Sequence, residues 1–334
     1  MLSDRVRQSL RAELRRSLMA KVGIVLLVGV ILVATFAPFL ATQPPQEQNL
    51  EDSNIPPAGL TYSSEEIAFV DGERQTVTNT VQGSLDHPLG TNQLGQDIYS
   101  RTLYGARTSL AVGVLGTVIA LLSGVTVGLI AGFYGGRVDD GLMRFADIML
   151  AFPALVLAIA LIGLLGPRTL EIPDPFVAAG LADGMPETFT LPLTVTLVVA
   201  LVNWVWFARI ARGEALTVRE KNYVKASRSL GASNRRLMLK HVLPNSLTPI
   251  IVLATIQVAV IILLESSLSF LGFSGTNLSW GFDINQGRDL LATSWWISTV
   301  PGLAIVLAVI GINLVGDWLR DALDPDIGGE RGGM

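Results

Sequence analysis

Cysteine is absent from the 334-residue chain, which excludes a disulfide framework, a thiolate nucleophile and any Cys-ligated metal. Histidine is scarce: His87 and His241 are the only two, and neither belongs to a His-Glu-x-x-His pattern. No Gly-x-Ser-x-Gly turn is present to carry a nucleophilic serine. Lysine is limited to Lys21, Lys221, Lys225 and Lys240, which follow Ala20, Glu220, Val224 and Leu239. A phosphate-binding loop ends in Gly-Lys-Ser/Thr, because backbone amides cradle the phosphates while the lysine neutralises them. The chain has no such loop, so any work driven by ATP requires a nucleotide-binding partner. These absences assign no catalytic residue, metal ligand or cofactor.

Charge is scarce as well. Asp, Glu, Lys and Arg make up 16% of residues against 50% hydrophobic, and mean hydropathy is positive, a balance foreign to a soluble globule of this length. Charge-free windows occupy 22–46, 108–136, 148–167, 188–208, 242–264 and 290–316. Each reaches the roughly 20 residues needed to cross hydrocarbon. Backbone groups inside a bilayer must be satisfied within the segment, so continuous apolar runs predict α-helices rather than barrel strands. The expected architecture is an all-α polytopic membrane protein with six spans.

Nineteen of the 24 Lys and Arg residues fall on one side of these spans, in the arm before 22, in the stretch from Arg209 to Lys240, at Arg137 and Arg144, and at Arg320 and Arg331. The positive-inside rule makes that side the cytoplasm, with both termini inside. His87 and His241 then lie on opposite faces and cannot share a metal or a catalytic centre. The expected organisation is a cytoplasmic arm at 1–21, a first span at 22–41, an outer loop at 42–107, a five-helix core at 108–318 and a cytoplasmic tail at 319–334. Arg15, Arg16 and Lys21 could lead a cleaved signal sequence, but the apolar core at 22–40 is long for one, and a permanent anchor is expected. The outer insert at 43–82, rich in Pro, Ser and acidic residues, reads as a solvated loop or small cap.

Within the second window Gly116, Ala120, Gly124, Gly128, Gly132 and Gly136 recur at every fourth position. Small residues at this spacing form a stripe on which a second helix packs closely; a sliding seam during gating is the alternative. Pro153 is positioned to kink the third helix. The fifth ends in Glu265-Ser266-Ser-Leu-Ser269, with Glu265 about 28 Å from Ser246 at helical rise, near the outer interface. A carboxylate there is either solvated, bonded to the neighbouring hydroxyls, or lines a route. Asn203, Asn313 and Asp317 are weaker candidates of the same kind.

The basic stretch 223–245 interrupts a helical pattern at Gly231-Ala232-Ser233, where Ser233 is a good N-cap for a short second helix from Asn234 to His241 before Pro244 stops it. The expected shape is helix, sharp turn, helix at the membrane surface. Ala226, Gly231 and Ala232 give it a small-residue face, flanked by Arg228, Arg235, Arg236 and Lys240. A loop that merely obeys the positive-inside rule or touches anionic lipid would carry the same charge.

The spacing Lys225-Ala226-Ser227-x-x-x-Gly231, continuing to His241-Val-Leu243-Pro244, resembles the EAA motif of permease subunits of ABC-type importers. There Glu-Ala-Ala, three residues, Gly, nine residues and x-x-Leu-Pro form a coupling helix that docks into the ATPase. Lys225 stands where that family has Glu, and Ser227 replaces the second Ala. The segments 86–110, 132–139, 147–153, 265–272 and 301–325 are similar to the dipeptide/oligopeptide/nickel branch, specifically its second or C-type permease, with Gln96 in place of a usual Arg.

That resemblance implies a type I ABC importer permease fold with its coupling loop at 214–245. The ATPase-coupling residues would be Lys225, Ala226, Ser227, Gly231, Ala232, Ser233, Leu237, His241, Leu243 and Pro244. Glu265, Ser266 and Ser269 would belong to a translocation path, and Gly124, Gly128 and Gly132 to helix packing. Implied partners are a homologous permease subunit in a heterodimer, two ATP-binding subunits, an extracytoplasmic solute-binding protein and membrane lipid, with no nucleic acid and no cofactor. The solute would be peptide-like, a di- or oligopeptide, or a nickel chelate or other small solute. A secondary transporter or channel would place paired ionisable groups near mid-bilayer, and no charge-free window holds one. A membrane-embedded enzyme would need the nucleophile or metal set that is missing.

Overall fold

The computed structural model describes residues 12–70 and 73–323, and their side chains except those of 64–79. The expected cytoplasmic charges Arg5, Arg7, Arg11 and Arg331 lie outside the described residues. Helix α1 spans Leu18–Thr35, with the Ser17 hydroxyl accepting the Ala20 amide at 3.1 Å. Strands β1 (Thr61–Val70) and β2 (Glu73–Gln82) follow, then α2 (Ile98–Tyr134), α3 (Gly136–Ala151) and α4 (Ala154–Leu165). A second strand pair, β3 (Thr169–Pro173) and β4 (Thr188–Pro192), leads into α5 (Leu193–Arg219) and the short α6 (Asn222–Ser229). Helices α7 (Leu243–Phe270), α8 (Trp280–Gly287) and α9 (Trp296–Leu323) complete the described residues.

Among the described residues, five helical segments are long and apolar enough to cross a membrane: α1, α2, α5, the run 234–270 and α9. The sixth candidate is broken. Helices α3 and α4 meet at 93°, because Pro153 excludes helical backbone from the residue before it and Phe152 is extended at φ −92°, ψ 138°. The proline is thus a corner rather than a kink.

Helix α2 is the spine. It begins at Ile98, well before the charge-free window at 108, where the Asp97 carboxylate accepts the Ser100 amide at 2.8 Å. At 1.5 Å per residue it measures about 55 Å, so its first turns stand beyond the hydrocarbon. Its small-residue stripe lies on α5. A Cβ on Gly124 would strike the Trp204 carbonyl, one on Gly128 that of Ala208, and one on Gly132 that of Arg212 at 2.5 Å. Gly116 faces Val199 and Ile261 instead, and Gly136 faces open space. Small residues along one helix thereby let two backbones touch in the absence of any hydrophobic driving force between spans.

The membrane part is helical throughout, whereas the end carrying the 43–82 insert adds two antiparallel hairpins. In the first, Thr61 pairs with Gln82 and Val70 with Glu73; in the second, Thr169 pairs with Pro192 and Pro173 with Thr188. Within the insert, expected as a solvated loop or small cap, β1 and β2 pair as antiparallel strands, in keeping with their β-branched and aromatic content.

Candidate functional site

At the far end of α2 from the insert, the chain between α5 and α7 forms the elbow. Its mounting starts on α5. Arg212 grips Asp139 of α3 through two bonds of 2.5 and 2.6 Å, Arg209 reaches Asp147 at 2.7 Å, and Trp204 stacks on Phe145 with ring centres 5.9 Å apart. Arg219 then caps the C-terminus of α2, donating to the carbonyls of Gly132 at 2.7 Å and Phe133 at 3.3 Å. Those carbonyls have no partner inside the helix, so a cation there answers both hydrogen bonding and the helix dipole.

Helix α6 ends in a Schellman turn. The Ala232 amide bonds the Ser227 carbonyl at 3.1 Å and the Gly231 amide that of Arg228 at 3.0 Å. Gly231 has φ +85°, and no atom lies within 4 Å of where a Cβ would sit. The glycine is thus required by backbone conformation alone. Ser233 caps the next turn, Asn234–Leu237, accepting the Arg236 amide at 3.4 Å.

Pro244 does not stop this second arm. The chain passes through a π-turn, Met238–Val242, in which the Leu243 amide reaches back to the Met238 carbonyl, and continues unbroken into α7. A proline clashes with the carbonyl four residues earlier and has no amide to donate; the wider turn relieves the clash and needs no donor at that position. The elbow's second arm is therefore the first part of the continuous 234–270 segment.

Val224, Leu237 and Val242 are completely buried in the cluster that holds Ala208, Ala211, Ala215 and Val218. Arg228 lies over the Phe133 ring at 5.4 Å, and the rings of Tyr223 and His241 are 6.1 Å apart. The opposite side faces outward: Lys225, Ala226, Gly231, Ser233 and Pro244 are exposed, Ser227, Ala232, His241 and Leu243 half-buried, and Leu237 buried. Lys225 pairs with Glu220 at 3.0 Å, which holds the exposed Glu220 carboxyl below its usual range.

Glu265, Ser266 and Ser269 come together on α7, away from the elbow. The Glu265 side chain is fully buried and accepts bonds from Ser269 at 2.7 Å, Ser109 of α2 at 2.9 Å and Ser266 at 3.4 Å. Through Ser109 this carboxylate ties α7 to α2.

The insert end holds what the sequence reading missed. Arg101 and Arg107, just ahead of the second charge-free window and outside the cytoplasmic set of basic residues, are drawn inward. The buried Arg101 guanidinium contacts Asp283 (2.6 and 2.8 Å), Gln96 (2.9 Å), the Pro45 carbonyl (3.1 Å) and the Asn277 carbonyl (2.5 Å). Burial pushes the Asp283 carboxyl upward against the opposing pull of Arg101. Arg107 pairs with Asp174 and donates to the Ala34 carbonyl at 2.8 Å. His87 sits between Asp97 at 3.4 Å and Asp52 at 3.7 Å. Among the described residues no group of His, Asp and Glu is arranged to hold a metal. The signal that could have exposed these ties was the presence of two arginines just ahead of a charge-free helix, each of which needs a carboxylate once buried.

A multi-spanning helical bundle with a rigidly mounted, basic elbow is the architecture of an integral-membrane transport component. Residues 124–329 match the family model of the binding-protein-dependent transport system inner membrane component. Residues 7–57 match the N-terminal TM domain of oligopeptide transport permease C. The chain is 35% identical to the dipeptide transport system permease protein DppC of Alkalihalophilus pseudofirmus, over 94% of this chain and 88% of that protein. It is 36% identical to the di/tripeptide transport system permease protein DppC of Pseudomonas aeruginosa, over 91% and 87%. The oligopeptide transport system permease protein OppC of Bacillus subtilis is 35% identical over 94% and 87%. In fold the chain is similar to one from the inward-facing MetNI methionine ABC transporter, with a TM-score of 0.52 and 16% identity, covering 67% of this chain and 97% of that one. The chain belongs to the binding-protein-dependent transport system inner membrane component family.

Proposed function

We propose that this chain is the C-type permease subunit of an ATP-driven peptide importer, seated in the cytoplasmic membrane with both termini inside and paired with a homologous permease, two ATPase subunits and an outer solute-binding protein. The observation that carries the reading is the elbow: an exposed turn whose feet are buried between α2 and α5 and whose second arm runs into α7. A push on such a turn displaces a spanning helix instead of being absorbed by a loop, the behaviour of a two-state element biased by a remote ligand. The coupling residues are Lys225, Ala226, Ser227, Gly231, Ala232, Ser233, Leu237, His241, Leu243 and Pro244.

The solute route follows the side of α7 where Leu263, Ser266 and Ser267 border a groove shared with Leu155, Ile284 and Ile305. Glu265, bonded to Ser266 and Ser269 on the same helix, completes with those two serines the α7 section of the path. The stripe at Gly124, Gly128 and Gly132 serves as a packing seam. Peptide transport by the named relatives supports the solute class. The test is uptake of labelled di- and oligopeptides by a strain lacking this chain, with and without the restored gene. Restored, ATP-dependent peptide uptake is the expected result; uptake that persists after ATP depletion would rule against the reading.

A further inference from the structure

The elbow's charge is entirely of one sign. From Lys221 to Leu264 the sequence holds six Lys and Arg residues, Lys221, Lys225, Arg228, Arg235, Arg236 and Lys240, and no Asp or Glu. All six are exposed. Glu220, just before this run, is shared between Lys225 at 3.0 Å and Arg219 at 3.4 Å. Between the two basic arms, next to Gly231, Leu230 is 88% exposed. Leu239 and Tyr223 are also exposed.

The basic residues are not held as a flexible polybasic tail would hold them. The Schellman turn, the Ser233 cap and the buried feet Val224 and Leu237 fix an apolar tip with cations on both flanks. We infer that the surface that receives this elbow is an apolar-floored cleft with an acidic rim, and that Lys225 contributes to the docking charge with a carboxylate of the ATPase subunit as its partner. The inference rests on the ATPase-coupling reading above. A bilayer surface attracts basic residues without regard to their arrangement, whereas a single large apolar side chain between two basic arms fits a pocket whose floor excludes water and whose edge supplies the opposite charge.

The experiment measures binding of the purified ATPase subunit from the same source to the full-length permease chain in detergent micelles, at low and at physiological salt. Rim charges act mainly through encounter rate and salt dependence. The expected results are a steep loss of affinity with salt, a further loss of at least about tenfold for Lys225→Glu, a smaller loss for Lys225→Gln, and recovery of the Lys225→Glu variant when a rim carboxylate of the ATPase is replaced by lysine. Wild-type binding that ignores both salt and Lys225→Glu would overturn the acidic rim while leaving the coupling reading intact. Absence of any wild-type binding would overturn both. Salt-dependent capture by anionic vesicles, combined with salt-independent ATPase binding, would assign the charge to lipid and overturn the inference.

Discussion

The elbow and the insert end sit at opposite ends of α2 and use arginine in opposite ways. At the insert end Arg101 is buried, and its contacts with Asp283 of α8 and the carbonyls of Pro45 and Asn277 draw other segments inward. Beyond the Arg212 and Arg219 ties of its mounting, the elbow turn itself leaves Arg235, Arg236 and Lys240 in solvent and packs through Val224, Leu237 and Val242. A buried charge must be paired and cannot be removed singly without leaving its partner stranded. An exposed charge contributes little to the fold and is free to meet a partner. The insert end is therefore tied shut by its charges, whereas the elbow turn displays the charges of its two arms.

This contrast predicts a ranking. Arg101→Ala strands Asp283 in a buried site and should cost about 3–5 kcal/mol, read as a large fall in thermal unfolding temperature of the purified chain in micelles. Adding Asp283→Asn should recover part of that loss, and full stability of the single variant would break the comparison. Gly128→Leu forces a side chain into the Ala208 carbonyl and should cost about 1–3 kcal/mol or more, seen by the same measurement. Glu265→Ala leaves the Ser109 and Ser269 hydroxyls without their acceptor, at about 1–3 kcal/mol, with Glu265→Gln milder. Arg236→Ala, at the elbow, should change stability by no more than about 0.5 kcal/mol while weakening retention of the ATPase subunit in a pull-down. A stability loss matching that of Arg101→Ala would erase the distinction between the two ends.

Local features were the legible ones. The turn at Gly231 and the cap at Ser233 are properties of neighbouring residues, and both are readable without a structure. The stripe on α2 is periodic, so its face could be read, although its partner α5 could not. Pro153 marked a kink, whereas the 93° corner comes from the extended backbone at Phe152, whose angle residue identity alone does not set. Pro244 was misread as a stop because a π-turn leaves no mark in residue identity. Ties between Arg101 and Asp283, or Ser109 and Glu265, join residues far apart in the chain, and only the packing of α2 against α7 and α8 brings them together. The hairpin at 61–82 was masked by its acidic residues, which suggest solvation before strand pairing.

The coupling role of the elbow is tested most directly by Gly231→Glu. The φ of +85° at this position costs a residue with a Cβ about 1–2 kcal/mol, enough to distort the turn while the buried feet on α2 and α5 stay in place. The assembled transporter is reconstituted in proteoliposomes with its solute-binding protein, and ATP hydrolysis and peptide uptake are measured side by side. A variant that inserts normally and hydrolyses ATP while uptake is lost is the predicted result. Uptake per ATP equal to that of the unaltered chain would contradict the account.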